Sequence, residues 1–152
     1  MRSISVQRTI PAPRPAVWAV LADFPHISEW NSGVAASHAT SESTGGVGAT
    51  RHCDLAPMGA LEETIAEWVP DERLVITIDH VAKLPIKHGN VTFSLEPTDD
   101  DASTTVTIDY AYRPKLSTLL GPVLDRQLTK GMTGFLADLD TASQAADEDR
   151  KS

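Results

Sequence analysis

Arg51 and Glu63 lie in two short segments, "TRHCDL" and "LEETIAEW", where apolar and polar residues alternate. Period-two alternation marks a half-buried strand. It groups Arg51 with Cys53 and Leu55, and Glu63 with Leu61 and Ile65. That apolar company turns both faces inward. An inward guanidinium needs an acidic partner, because an unpaired buried charge is very costly. Glu63 on the neighbouring strand is the candidate. Such a pair can hold a carbonyl, phenolate or carboxylate of a ligand, or it can be a plain structural ion pair. A register slip of one residue would send both side chains outward.

Other residues offer weaker chemistry. His80 continues the Leu74, Ile76, Ile78 face at a strand end, where it could act as an acid or base. More often such a histidine is a solvated strand-end residue. Tyr110 and Tyr112 share the apolar face of the last strand. Each combines a flat apolar body with a hydroxyl, suited to lining a cavity or completing a core. Cys53 reads as a small buried hydrophobe. Its neighbour His52 points to the opposite face and cannot activate it. The turn "TGGVGAT" lacks the Gly-Lys-Ser/Thr ending of a phosphate loop, and a strand follows it rather than a helix. His26, His38, His52 and His88 show no metal-ligand spacing, so no metal site is expected. The segment "HVAKLPIKHGN" places Leu84, Pro85 and Ile86 in a loop flanked by Lys83, Lys87 and His88. These apolar residues either form a lid or mouth or tuck under a helix.

The elements that position these groups follow from periodicity. "RSISVQRTI" alternates, with Ile4, Val6 and Ile10 on one face. Pro11, Pro13 and Pro15 end that strand, and Pro15 can open a helix. Val17, Val20, Leu21 and Phe24 recur at helical spacing until Pro25 stops the helix. In "DFPHISEWNSGV", Phe24, Ile27 and Trp30 suit a second short helix that plugs one end of the fold. Val34–Thr40 is a strand candidate. The runs "TRHCDL", "LEETIAEW", "LVITIDHV", "NVTFSLE" and "TTVTIDYAY" follow, joined by short turns, as in an antiparallel meander. From Lys115, Leu116, Leu119, Leu120, Val123, Leu124, Leu128, Met132, Phe135, Leu136 and Leu139 trace a long amphipathic helix. Gly131 and Gly134 fit there if something packs closely on them or the helix bends. The tail from Gln144 is polar, suiting a fraying helix end or disorder.

The expected fold class is therefore α+β. A curved antiparallel sheet of about seven strands wraps the long helix. Sheet curvature can leave a cavity between them. A chain of 152 residues suits one domain, expected over residues 1–143, with a polar tail at 144–152. Its net charge of −8 argues against general binding to nucleic acid or anionic membrane surfaces. Cys53 is the single cysteine, which excludes an intrachain disulfide and a cysteine-rich zinc site. No apolar leader and no run of about 20 apolar residues is present, so a cytoplasmic location without integral membrane association is expected.

The order strand, two short helices, six strands, long helix resembles the START-like helix-grip (SRPBCC) superfamily, in its polyketide cyclase/dehydrase group. The segments that carry the likeness are "IPAPRPAVWAVLADFPHISEWN", "GVGATRHCDL" and "LEETIAEWVPDERLVITI", with the closing helix. The resemblance covers nearly the whole chain. It implies a hydrophobic cavity, with the glycine turn near it, but no particular reaction. The expected liners are Phe93, Leu95, Ile108, Tyr110, Leu128, Met132 and Phe135, with Trp30 near the short helices. Arg51 and Glu63 would fix a ligand's orientation. Three functions stay open. The chain could bind a small hydrophobic or aromatic molecule, such as a lipid, quinone or polyketide-like compound, and need no cofactor. It could be an aromatase/cyclase or dehydratase, with Arg51 stabilising an enolate and Glu63, Tyr110 or His80 moving protons. It could also be a protein-interaction module. An open cavity where Arg51 meets a titratable partner would favour the enzyme. Monomer and homodimer are both open.

Overall fold

Prolines and β-branched residues divide the chain before any packing begins. The structure, a computed structural model, describes residues 2–115 and 120–151. Strand β1 spans Arg2–Ile10 and ends at Pro11. Helix α1 (Arg14–Ala22) carries Pro15 in its first turn, where the missing N–H leaves no bond unmade. Pro25 then forces a tighter 3-10 helix at Phe24–Glu29. Six further strands follow: β2 (Val34–Ala39), β3 (Thr50–Leu55), β4 (Ala60–Val69), β5 (Arg73–Ala82), β6 (Ile86–Pro97) and β7 (Thr104–Pro114). Helix α2 (Gly121–Lys151) closes the chain.

Among the described residues these seven strands make one antiparallel sheet in the order β1-β7-β6-β5-β4-β3-β2. The first two strands of the chain are thus its two edges. Helix α1 and the 3-10 helix bridge from one edge to the other. The inner face buries Ile65, Leu74, Ile76, Val91, Phe93, Val106 and Ile108 against α1 and α2. Each such side chain contributes about 1.5–3 kcal/mol when fully buried. Trp18 of α1 meets Trp68 of β4 edge-on, with ring centroids 5.0 Å apart.

Polar ties hold α2 across the sheet. Arg8 donates from Nε to Asp140 Oδ2 at 2.7 Å. Ser32 donates from its backbone N–H (2.9 Å) and hydroxyl (2.8 Å) to Asp138. Near the helix start, Asp125 accepts from Arg2 at 2.7 Å and from the Tyr112 hydroxyl at 2.6 Å. Burial, with the bond to Asp125 next, pushes the Tyr112 phenol up to about 12. The helix is fixed at both ends of the stretch that faces the cavity.

Several expectations need correction. Helix α2 starts at Gly121, and Leu116 and Leu119 lie outside the described residues. Leu120 and Val123, counted on its apolar stripe, are exposed. The stretch from Gln144 to Lys151 continues α2, the helix-end alternative for the tail rather than disorder. The loop at residues 82–89 is shorter than expected, because Ile86–Gly89 already belongs to β6.

Candidate functional site

The cavity lies between the inner sheet face and α2 and has a volume of about 280 Å³. Its floor is Ile76 and Ile78 of β5 with Val91 and Phe93 of β6. Leu128, Gly131, Met132 and Phe135 of α2 form the opposite wall. They recur at steps of three, one and three, so one helical face supplies them all. Leu84 of the β5–β6 turn and Ile86 at the start of β6 also line the cavity, as does Leu61 of β4. In the β3–β4 turn, Gly59 holds a φ of +102°, and a side chain there would run into Leu84 at 3.0 Å. A glycine is needed on both counts.

Arg51 and Glu63 are the polar centre. They face each other directly across β3 and β4 in register. Arg51 is 5% and Glu63 7% exposed. Arg51 Nε donates to Glu63 Oε1 at 2.9 Å, and Nη1 donates to the Phe24 carbonyl at 2.9 Å. The guanidinium also sits 3.9 Å from the centre of the Phe24 ring. Three contacts therefore fix the fork in one orientation. Arg51 Nη2 and Glu63 Oε2 have no hydrogen-bond partner among the described residues. Both residues line the cavity.

The 3-10 segment does more than plug an end. It supplies the Phe24 ring and carbonyl that hold Arg51, and Ile27 to the cavity wall. Just beyond it, Asn31 lines the cavity too, with its Oδ1 accepting from Gly33 N–H at 2.9 Å. That bond leaves the Asn31 amide NH₂ without a partner among the described residues. Trp30 does not line the cavity; it packs edge-on against Phe135, ring centroids 5.1 Å apart.

Tyr110 lines the cavity from β7, and its hydroxyl has no hydrogen-bond partner among the described residues. Burial, reinforced by the negative charge of Glu63, raises its phenol pKa, so it is a neutral donor. Cys53 also lines the cavity. Burial pushes its thiol up to about 12, with Arg51 opposing and Glu63 adding to the rise. A thiol so held is no nucleophile at neutral pH.

Phe93, Tyr110, Leu128, Met132 and Phe135 thus meet Arg51 and Glu63 around one space. Leu95 and Ile108 do not reach it, and both are sealed in the core. His80 is exposed and away from the cavity. The physical reason is a bulge. Glu63 pairs with Ile78 but Glu62 with His80, so Asp79 is an extra residue and inverts the alternation. A second bulge, between Ile65 and Glu67, turns Trp68 to the inner side. None of the glycine-turn residues lines the cavity; Gly45 packs on Trp68 instead. Sequence reasoning missed Ile76, Ile78, Val91 and Leu61 as liners, although each shares the inward face of its strand, Leu61 with Glu63, Ile76 and Ile78 with Leu74, and Val91 with Phe93. It had no signal for Asn31. As for a metal, the exposed Asp23, just before the 3-10 helix, and His26 and Glu29 on it bring ligand atoms within 4.8 Å of one another. No described helix is long and apolar enough to cross a membrane.

A curved antiparallel sheet that grips a long helix over an apolar cavity defines a helix-grip, START-like protein. Solved structures share that fold. A START superfamily protein from Mycobacterium smegmatis aligns with a TM-score of 0.81 at 14% identity, covering 94% of this chain and 97% of that one. A protein from Thermus thermophilus aligns at 0.80 with 16% identity, over 95% and 99%. A Thermobifida fusca protein, solved in solution, aligns at 0.77 with 23% identity, over 97% and 96%. At such identities the likeness shows the fold alone. No curated protein matches the sequence. The chain belongs to the family described as polyketide cyclase / dehydrase and lipid transport, which it matches over residues 1–144.

Proposed function

We propose that this protein binds a small hydrophobic or aromatic molecule in the cavity between sheet and α2. The observation that carries this reading is the cavity's make-up. Apolar walls on two sides surround a fixed Arg51–Glu63 pair with unused hydrogen-bonding positions. Few convergent polar groups in an apolar pocket are the usual design of a ligand site. Binding is preferred over catalysis for a chemical reason. Among the described residues no histidine lines the cavity, Cys53 and Tyr110 stay protonated, and Glu63 is tied to Arg51. A general base works best when its pKa lies near the working pH.

One observation favours a second reading, an aromatase/cyclase or dehydratase. Arg51 and titratable Glu63 and Tyr110 converge on one cavity, where a guanidinium could stabilise an enolate. Native mass spectrometry of the purified chain tests the first reading. A co-purified small molecule is expected, and Arg51→Ala should weaken its retention at least tenfold. Retention unchanged in Arg51→Ala would remove the orienting role. Turnover of a poly-β-keto substrate by the wild type, lost in Arg51→Ala, would replace binding by catalysis.

A further inference from the structure

The charged groups of the cavity cancel. Arg51 and Glu63 are its charged liners, and they are joined at 2.9 Å. The other titratable liners, Cys53 and Tyr110, are both held neutral by burial. The space therefore carries no net charge. A carboxylate, phosphate or ammonium head would enter as an uncompensated charge, beside a protein pair already matched. Lys83 of the β5–β6 turn and Lys87 of β6 are exposed and do not line the cavity, so they do not alter this balance.

The free hydrogen-bonding positions are mixed. Glu63 Oε2 can only accept. Arg51 Nη2 and the Asn31 amide can only donate, and the Tyr110 hydroxyl can do either. A ligand head that meets this set must both donate and accept while staying neutral. A hydroxyl does both, and a ketone beside it adds a further acceptor. Size narrows the rest. A cavity of about 150 Å³ accepts benzene, and this one is about 280 Å³. Two fused rings fill it. Phe93 and Phe135, whose rings lie 5.4 Å apart, offer aromatic surface to such rings.

We propose that the cavity selects an uncharged, hydroxylated two-ring aromatic molecule, whose hydroxyl donates to Glu63 and accepts from Arg51. The Arg51–Glu63 pair then acts as a filter that turns away free fatty acids and other anions of similar bulk. This rests on the ligand-binding reading above and adds the chemical class.

The test uses three probes of nearly equal shape on the full chain at pH 7: 2-naphthol, 2-naphthoate and naphthalene. Calorimetric titration gives their affinities. The expected result is 2-naphthol at least tenfold tighter than either of the others. Glu63→Gln, checked for folding by circular dichroism, should invert the order of the first two, because Arg51 then lacks its counter-charge. If that variant does not fold, the wild-type ratios decide alone. Naphthoate binding as tightly as naphthol overturns the filter and leaves ligand binding standing. Naphthalene equal to naphthol overturns the proposed head contacts. Failure of all three to bind overturns this inference, and a co-purified molecule of another class in native mass spectrometry would leave the ligand-binding reading standing.

Discussion

Replacing Arg51 by methionine should separate a buried ion pair from a hydrated one. The side chain it removes is 6% exposed, and its partner carboxylate 8%. Methionine fills much of the same volume but leaves Glu63 without its counter-charge. Breaking one side of a buried pair costs about 3–5 kcal/mol. The Phe24 carbonyl also loses its donor, which costs about 1–3 kcal/mol if water does not replace it. The double variant Arg51→Met/Glu63→Leu keeps only that second loss. Hydrophobic replacement of a buried pair commonly returns about 1–4 kcal/mol, so the double variant should lie near the wild type. The coupling between the two positions is therefore expected to exceed about 2 kcal/mol, large for residues in contact. Urea denaturation of all four proteins at 25 °C measures it. A whole domain is stable by only about 5–15 kcal/mol, so the single variant should show a much lower midpoint. Arg51→Met within about 1 kcal/mol of wild type, with no recovery in the double variant, would mean that water already screens the pair. The neutral-cavity reasoning would then fail as well.

Two further outcomes follow from the same geometry. A Cβ at Gly131 would meet nothing within 4 Å, so Gly131→Ala should stabilise the chain by about 0.5–1 kcal/mol through helix propensity. That raises the melting temperature by about 1–4 °C, while Gly131→Met should weaken 2-naphthol binding by intruding on the cavity; a destabilised Gly131→Ala would refute the open-space reading. On the outer face, His52 contacts Glu62 through Nδ1 and Asp54 through Nε2 (2.9 Å), with His38 stacked at 5.2 Å and His80 opposite Glu62. The bond to Glu62, then that to Asp54, raises the His52 pKa above its ordinary value. Its stabilising contribution is therefore full below about pH 6.5 and is lost as pH rises through the folded-state pKa. Urea midpoints should fall as pH rises above about 6.5, less so in His52→Gln; His26, raised by Asp23, acts in the same direction. Equal slopes in the two proteins would remove His52 as the cause.

What the sequence disclosed and what it hid have one physical origin, the period of the strand. Where alternation runs unbroken, one residue type fixes a face. Arg51, Cys53 and Glu63 could be placed inward because β3 and the start of β4 keep strict pairing from Thr50–Thr64 to Asp54–Ala60. His80 was misplaced because an extra residue, Asp79, slips into β5 opposite Glu62 and Glu63. No local preference in "ITIDHV" announces that slip; it is set by how β4 and β5 bend together. The glycines of α2 show the same limit from the other side. Close packing was the natural reason for glycine at 131, yet nothing touches that position. Its missing side chain belongs to the cavity rather than to the helix. Local periodicity thus reads out contacts, whereas a cavity is where contacts are withheld. Of its liners, Leu128, Met132 and Phe135 were legible from helical spacing and Phe93 and Tyr110 from strand alternation, whereas Asn31 beyond the 3-10 helix and Gly131 without a side chain carried no such signal.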